Sequence, residues 1–529
     1  MSVQQIRRFG STGLLIELSD LDSVLALHAT LQTDPLLGQR DVLAAAQTVL
    51  LTTDSAHSAR AAEQLIAQLA LNTAPADTGE LVTVDVTYDG ADLTEVAELT
   101  GLSIEAVIKA HTTQQWTAAF GGFVPGFAYL MGENDSLNVP RRNTPRTAVP
   151  AGSVALAGAY SAVYPRQSPG GWQLLGHTNT PMWDLSRENP ALIRPQDRVQ
   201  FRAVREQTRL NTAPASGHCE QWAHPSLEVL DAGLQSLFQD LGRVAQANLG
   251  VTGSGAADTA SSRQANRLVG NPARATVIEN LTGNLELRAL TDVVLAVTGA
   301  TAELVVTPSA EDRIRIERTP AMNTPFALLA GERLKLWPTG EGLRSYLAVR
   351  GGFSADSVLG SSSTDTLSGL GPPAIATGNK LYIGQPATLS VVGHPEPSTL
   401  PRPAADGDYL LRVVPGPRQD WFGSAGIEQL LHQRWEVSSE SNRVGLRLQA
   451  HDAAPLARIR TGELASEGML PGALQVPPSG LPVLFLADHP VTGGYPVIAT
   501  VIEADLPAAA QLPPGATVRF TLADQDIEN

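Results

Sequence analysis

"SPGGWQLLGHT", residues 168–178, opens with Pro-Gly-Gly and closes on an apolar pair, a glycine and a histidine. A helix interior does not tolerate this run, because proline removes a backbone donor and clashes with the preceding turn, while paired glycines add backbone entropy. It reads as a shaped loop entering a strand, expected to form one wall of a substrate cleft. The same pattern, Gly-Gly-aromatic-x-aliphatic-aliphatic-small, returns in "VTGGYPVIATV" (491–501), which aligns Gly170, Gly171 and Trp172 with Gly493, Gly494 and Tyr495. Downstream, "RPQDRVQFRA" (194–203) matches "PPGATVRFTL" (513–522) as Pro-x-x-x-Val-x-Phe. Upstream, "VPAGSVALAG" precedes one copy and "LPGALQVPPSG" the other. Three matches in one order point to related β-domains, one in each half, packed as a pseudo-symmetric pair.

The chain around these copies fills in the architecture. After residue 116, short apolar runs alternate with Gly, Pro and Ser at close intervals, the pattern of a β-rich barrel or sandwich. Residues 1–80 alternate the short buried strands "GLLIEL" and "TVLLTT" with "DLDSVLALHATLQ" and "SARAAEQLIAQLALN", whose apolar residues fall at helical spacing. Asp20 is placed to cap the first of these helices. This is a small α+β domain. "ELVTVDVTYDG" (80–90) predicts a strand, and "DLTEVAELTGLSIEAVIKAHTTQ" predicts two helices broken at Gly101-Leu102-Ser103. The expected organisation is an α+β domain at 1–80, a β-barrel domain at 81–204, a polar linker at 205–225, a first domain of the second half at 226–400 and a C-terminal β-domain at 401–529. A second, proline-dense break at 393–408 reads as extended.

At 529 residues the chain exceeds a single hydrophobic core. Apolar content of 43% and charged content of 17% are those of an ordinary globular protein. The net charge of −16 disfavours nucleic acid and anionic membrane as partners, since both attract clustered Lys and Arg. Cys219 is the only cysteine, which excludes an intrachain disulfide and fits a reducing compartment. No apolar stretch approaches the roughly 18 residues of a membrane span, and Leu14-Leu15-Ile16 is too short for a signal sequence. A cytoplasmic protein is expected, and nothing in the sequence excludes a homo-oligomer.

Several stretches carry polar groups suited to chemistry. "FGGFVPGFAYLMG" (120–132) sets Phe123, Phe127 and Tyr129 among turn residues, and "VPRRNTPRTAVPAGS" (139–153) sets Arg141, Arg142 and Arg146 among prolines. An arginine fork held this way suits a carboxylate or phosphate. His177 is a candidate proton shuttle, with Asp184 of "MWD" as a carboxylate able to fix its tautomer. Gly250, Gly253 and Gly255 precede Asp258 and the helical run "TASSRQANRLV", an arrangement that can offer backbone N–H groups to an anion. Its spacing is neither a Walker A nor a Rossmann motif. "ASEGMLPGALQVPPSGLPVLFLADHPVTGGYP" (465–496) places Glu467, Gln475, Asp488, His489 and Thr492 at the ends of expected strands. Asp488, directly after "VLFLA", is expected to face a cleft, the alternative being a turn-starting residue. Zinc is unexpected without a Cys cluster or a His-x-x-x-His pair, so no metal site is assigned. Neither a Gly-x-Ser-x-Gly elbow nor a Met-Lys-Met biotin attachment sequence occurs.

"GGFVPGFAYL", "PRRNTPRTAVPAGSVALAG" and "YPRQSPGGWQLLGHT" resemble the first subunit of the family labelled allophanate hydrolase subunit 1, or kinase-inhibitor type. "FQDLGR", "GVTGSGAAD", "ANRLVGN", "YLAVRGGF", "ALQVPPSGLPVL" and "TGGYP" resemble its partner, subunit 2, here fused in that order. The resemblance implies cyclophilin-like β-barrels in both halves, a mainly β protein with the small α+β domain added. It implies an ATP-dependent 5-oxoprolinase component that opens 5-oxoproline to glutamate with a separate LamB/YcsF-type subunit, using ATP and Mg²⁺ and carrying no biotin of its own. A biotin-dependent urea carboxyltransferase and a non-catalytic regulator of a histidine kinase are its rivals. The residues it implies for the site are Phe123, Pro125, Phe127, Arg146, Ser168, Gly170, Gly171 and His177 from the first half. From the second half come Asp240, Arg243, Asp258, Asn266, Glu467, Gln475, Asp488, Thr492, Gly493 and Gly494. In the mechanism it implies, His177 moves a proton and Asp488 orients substrate or metal, with Glu467 grouped beside them as catalytic. The sequence departs from the family at Pro490 and Val491, at Asn442 and Val444, and at "LGPPAIATGNK", which thins the polar groups of the second half.

Overall fold

The computed structural model describes residues 3–69, 79–142, 144–205, 224–309, 316–451 and 454–523. The expected linker at 205–225, with His218 and Cys219, lies almost wholly outside the described residues.

The N-terminal segment is a four-stranded antiparallel sheet in the order Val3–Phe9, Gly13–Leu18, Thr48–Thr53, Gln39–Ala44, with helices Leu21–Thr33 and Ala56–Ala67. Asp20 caps the first helix, accepting from the Ser23 N–H at 2.8 Å. Alternation along each strand gives the sheet two apolar faces. Leu14, Ile16 and Leu18 pack with Val24, Leu27 and Leu31 of the first helix. Leu15, Leu43 and Leu50 face the other way, against Met469, Phe485 and Val491 of the second half. Burying side chains of this size contributes roughly 1.5–3 kcal/mol each, so the α+β domain of the first half is seated firmly on the C-terminal barrel.

Two barrels carry the repeat. The first is built from Leu81–Val86, Trp116–Gly121, Ala128–Gly132, Ser153–Ala157, Tyr160–Val163, Gln173–His177 and Arg198–Ala203. Numbered one to seven along the chain, they lie side by side as 6-4-5-3-2-7-1. A single bridge between Thr87 and His177 joins the outer pair, each backbone N–H donating to the other carbonyl at 2.9 Å. Gly176 permits this seam, because a Cβ there would stand 2.1 Å from the Thr87 carbonyl oxygen. The second barrel comprises Tyr409–Pro415, Arg434–Val437, Gly445–His451, Ala473–Gln475, Val483–Phe485, Val497–Val501 and Thr517–Leu522, and is closed as 1-6-4-5-3-2-7, the same circular order. In both, strands one and seven pair in parallel. A helix precedes strand two in each, Ile104–Thr113 and Gly423–His432. The first residues of strand two are equivalent in kind: the Trp116 indole donates to the His111 carbonyl at 3.0 Å, and that of Trp435, one residue in, to Leu430 at 3.1 Å.

Each barrel also carries a two-stranded ribbon, Arg146–Val149 with Ser168–Gly170 and Glu467–Gly468 with Thr492–Gly493. The two Gly-Gly-aromatic stretches are therefore the same structural feature twice. Between the barrels, residues 227–383 form a six-stranded and a five-stranded sheet around Leu227, Leu287, Leu295 and Leu347. Helix Thr259–Leu268 packs on the smaller sheet through Ala265, Leu268 and Tyr346. The 393–408 stretch contains no helix or strand.

Candidate functional site

A concavity of about 420 Å³ opens where three parts of the molecule meet. Its walls are the N-terminal sheet at Thr12 and Asp41, the loop between Leu241 and Thr259, and the C-terminal barrel at 469–471, at Leu486, His489 and Val491, and at 500–503. The volume lies in the range of about 300–1,000 Å³ usual for small-molecule sites. Asp240 organises the loop: its carboxylate accepts from the Gly242 N–H at 2.7 Å, from Ser361 and Ser363 Oγ at 2.6 Å each, and from the Ser362 N–H at 2.9 Å. Gly242 and Gly255 take positive φ, and a Cβ on Gly242 would lie 2.5 Å from the Gly253 carbonyl oxygen. Asp41 binds this loop to the N-terminal sheet by accepting from the Ala247 N–H at 3.1 Å, and burial raises its pKa.

Two of the polar groups lining this cavity, Arg243 and Thr500, carry a buried atom without a partner, and His489 lines it beside them. Arg243 is 5% exposed, yet its guanidinium meets only carbonyls, with Nε donating to Val358 at 3.1 Å and Nη2 to Ser363 at 2.7 Å. Its Nη1 has no partner, and no carboxylate among the described residues is in ion-pair contact with it. Burial lowers its pKa, against the opposing pull of the more distant Asp365, Asp240 and Asp488. Thr500 Oγ1 is buried and unpartnered in the same cavity. His489, 7% exposed, stacks on Phe485 at 6.0 Å, and its Nδ1 is 2.9 Å from the Pro490 carbonyl. Burial lowers its pKa and keeps the ring neutral. His489 also borders a narrow slot in which Phe123 and Pro125 of the first half face Asp365 and Ser368.

Behind the cavity stands a saturated ionic staple. Asp488 is fully buried and accepts from Arg443 Nε and Nη2 at 2.9 Å each, Ser254 Oγ at 2.6 Å, and Thr366 N–H and Oγ1 at 2.9 and 2.6 Å. Burial pushes its pKa up, but Arg443 and the hydroxyls more than offset this and hold it ionised. Arg443 continues to Glu279 and to the Gly255 carbonyl, tying barrel, loop and middle sheets together. The ribbons are clamped as well. Arg146 makes a bidentate pair with Asp92, at 2.9 and 2.7 Å. At the matching register Glu467 pairs with Arg418, whose Nε lies 2.9 and 3.0 Å from its oxygens and whose Nη1 reaches Glu17 of the N-terminal sheet.

Residues 4–193 match the model of the carboxyltransferase domain, subdomain C and D, and residues 249–522 that of subdomain A and B. The chain belongs to the carboxyltransferase-domain family. Among its relatives, the C component of 5-oxoprolinase from Escherichia coli (strain K12) is 36% identical over 297 residues, 56% of this chain and 90% of that protein. The B component of 5-oxoprolinase from Escherichia coli O157:H7 is 45% identical over 123 residues, 23% of this chain and 56% of that protein. Urea amidolyase of Lachancea kluyveri is 29% identical over 319 residues, 56% of this chain but 17% of that protein. The crystal structure of TTHA0988 superimposes with a TM-score of 0.82 at 33% identity, covering 96% of this chain and 99% of that one. The relatives named as 5-oxoprolinase components thus align with both halves, which fits a fused B-plus-C arrangement.

In this carboxyltransferase-domain chain the residues singled out from sequence divide sharply. Arg243 lines the cavity, Asp240 shapes its loop, and Phe123 and Pro125 line the slot. Thr492 joins the halves, its Oγ1 accepting from the Phe123 N–H at 3.1 Å. His177 is elsewhere. Its backbone closes the first barrel, its ring pairs with Asp89 at 2.8 Å on the surface, and it borders neither concavity. Asp184 is a half-buried loop residue accepting from the Ser186 N–H at 2.9 Å, and is not the partner of His177. Asp488 does not face a cleft, since its oxygens are spent on the staple. Glu467 and Arg146 are held by their clamps. Phe127 is a core residue, edge-on to Tyr164 and Trp172. Ser168 and Gly170 sit in the first ribbon, Gly170 against the Tyr164 hydroxyl, and Gly171 accepts from the Arg142 N–H at 2.8 Å. Gln475 donates to the Tyr495 carbonyl at 3.1 Å beneath the second ribbon, where Gly493 and Gly494 lie.

The helix start expected to hold an anion is already filled. Asp258 caps helix Thr259–Leu268, accepting from the Ser261 N–H at 2.9 Å and Gln511 Nε2 at 2.8 Å, and Asn266 donates to the Ala275 carbonyl at 2.7 Å at the helix end. A buried carboxyl there, its pKa raised by burial, leaves no place for a polyphosphate, so this helix end does not fit ATP. Among the described residues no group of three or more His, Cys, Asp or Glu side chains is placed to hold a metal, and no helix is long and apolar enough to cross a membrane. No motif in residues 1–80 points to the cavity. Thr12 and Asp41 line it only because the N-terminal sheet docks on the second barrel, a packing that leaves no local signature in the sequence.

Proposed function

We propose that the chain is the carboxyltransferase-domain component of a 5-oxoprolinase, binding 5-oxoproline in the 420 Å³ cavity for ring opening to glutamate in the cytoplasm. The observation that carries this reading is Arg243. A guanidinium 95% removed from solvent, facing carbonyls alone and with one N–H unpartnered, calls for an anionic ligand oxygen. 5-Oxoproline offers a carboxylate; urea is neutral and leaves the cation bare.

The lactam is resonance-stabilised, so the reading includes ATP with Mg²⁺ and a separate LamB/YcsF-type subunit. ATP supplies the phosphoryl group that makes the lactam oxygen a leaving group. The chain's own residues contribute binding and shape: Arg243 anchors the anion, Thr500 Oγ1 offers a further hydrogen bond, and the apolar walls at Leu43, Leu470 and Val491 exclude water. The experiment mixes the chain with its partner subunit and follows ADP release dependent on 5-oxoproline, for wild type and Arg243→Gln. Turnover by wild type and its loss in the variant are expected. Consumption of a carboxybiotin donor with urea, and none of 5-oxoproline, would replace this reading with the carboxyltransferase one that the likeness to urea amidolyase favours.

A further inference from the structure

We propose that His489 is the residue that reads the ring N–H of the ligand, making the cavity selective for an unsubstituted lactam over its oxygen isostere. The inference rests on the reading of the cavity as the 5-oxoproline site. The Pro490 carbonyl can only accept, so the 2.9 Å contact to Nδ1 requires the proton on Nδ1. In a neutral ring the remaining nitrogen, Nε2, is then a bare acceptor. No residue among those described occupies Nε2. The neighbouring acid, Asp488, is consumed by Arg443, Ser254 and Thr366 and does not compete for the ring. Stacking on Phe485 and enclosure to 7% exposure fix the ring plane. The cavity thus presents an acceptor at His489 and a cationic donor at Arg243, and a five-membered lactam bearing a carboxylate carries the complementary N–H and oxygens.

The test uses the full chain and two ligands of one shape, 5-oxoproline and 5-oxotetrahydrofuran-2-carboxylate, in which a ring oxygen replaces the N–H. Titration calorimetry on wild type is expected to show the lactone binding about 10- to 100-fold more weakly, the cost of facing a buried acceptor with no donor. His489→Phe keeps a ring on Phe485 and removes the acceptor, so the two ligands are expected to bind within about twofold of each other, a convergence that loss of packing alone does not produce. Nitrogen-15 spectra of histidine-labelled wild type provide the measurement that needs no variant: a signal with protonated Nδ1 and bare Nε2, whose Nε2 resonance moves with 5-oxoproline and not with the lactone. Equal binding of both ligands by wild type, or discrimination surviving in His489→Phe, overturns the role of His489 while leaving the site. Failure of wild type to bind 5-oxoproline at all sinks the substrate reading and this inference with it.

Discussion

Replacing Glu467 by glutamine isolates what the second ribbon clamp contributes. The pair is nearly sealed, with side-chain exposures of 9% for Arg418 and 4% for Glu467. Removing one partner of a buried pair costs about 3–5 kcal/mol, because the other charge is left uncompensated. Arg418 keeps Glu17, whose side chain is 18% exposed, so the lower end, about 3 kcal/mol, applies. For a unit of this size each kcal/mol moves a transition by about 2–4 °C, which predicts a fall of about 6–12 °C in the calorimetric transition containing the C-terminal barrel. The double variant Arg418→Met/Glu467→Leu tests the cause. Exchanging both members for apolar residues is often neutral or stabilising, and Glu17 retains Arg7 at 2.7 Å, so the double variant should recover most of the loss. A shift below about 2 °C in Glu467→Gln, or a double variant as unstable as two independent losses, refutes the assignment of Glu467 to a structural clamp.

Three further outcomes are expected. His177→Ala should leave 5-oxoproline-dependent turnover within about twofold of wild type and lower stability by at most about 1 kcal/mol, since the seam is closed by its backbone and the Asp89 pair is exposed; a loss of turnover beyond tenfold returns His177 to the mechanism. Gly170→Ala should destabilise more than Gly493→Ala in thermal melts, because the first Cβ meets the buried Tyr164 ring, its hydroxyl at 2.2 Å, and the second the ends of the flexible Gln475 and Met469 side chains at 2.5 and 3.2 Å. At Asp92, burial raises the pKa but the Arg146 and Leu174 hydrogen bonds outweigh it and the net shift is downward. Its contribution is therefore complete above the ordinary aspartate range near about 3.9 and lost as pH falls through the lower folded value; wild type and Asp92→Asn should differ in urea midpoint at pH 7 and converge near pH 2.

What the sequence made legible was local or repeated. Asp20 and the Gly101–Ser103 break carry their own cap chemistry, and the structure places helices at those points. The repeat was legible because ribbon, strand six and strand seven each need their residue types twice. Strand Val3–Phe9 left little trace, since "VQQIRRF" turns Arg7 toward ion pairs and Arg8 toward Glu63 instead of alternating cleanly. At the site, the sequence marks polar residues in apolar frames but does not distinguish their roles. A buried carboxylate that saturates an arginine looks the same in sequence as one that awaits a ligand. Asp488 and Glu467 belong to the first kind, and only the long-range partners Arg443 and Arg418 reveal it. His489 stood one residue from Asp488, yet what separates it from the surface residue His177 is enclosure by Phe485 and the cavity walls.

The two clamps also explain how two barrels of one strand order in the same chain keep their ribbons apart. The register position opposite the first glycine of the Gly-Gly pair holds Arg146 in one copy and Glu467 in the other, and the residue gripping it from the loop after strand one is Asp92 in one and Arg418 in the other. Exchanging the ribbons would set Arg146 against Arg418 and Glu467 against Asp92, like charges at both sites, and the repulsion on top of two lost pairs opposes that arrangement strongly. The inverted polarity has a second consequence. Because Arg418 is a cation it also captures Glu17, and so fastens the N-terminal sheet over the second barrel. The first clamp takes its extra partner, Arg142, from its own barrel domain. The cavity lies where the sheet is fastened, and a pseudo-symmetric fold thereby acquires an asymmetric site.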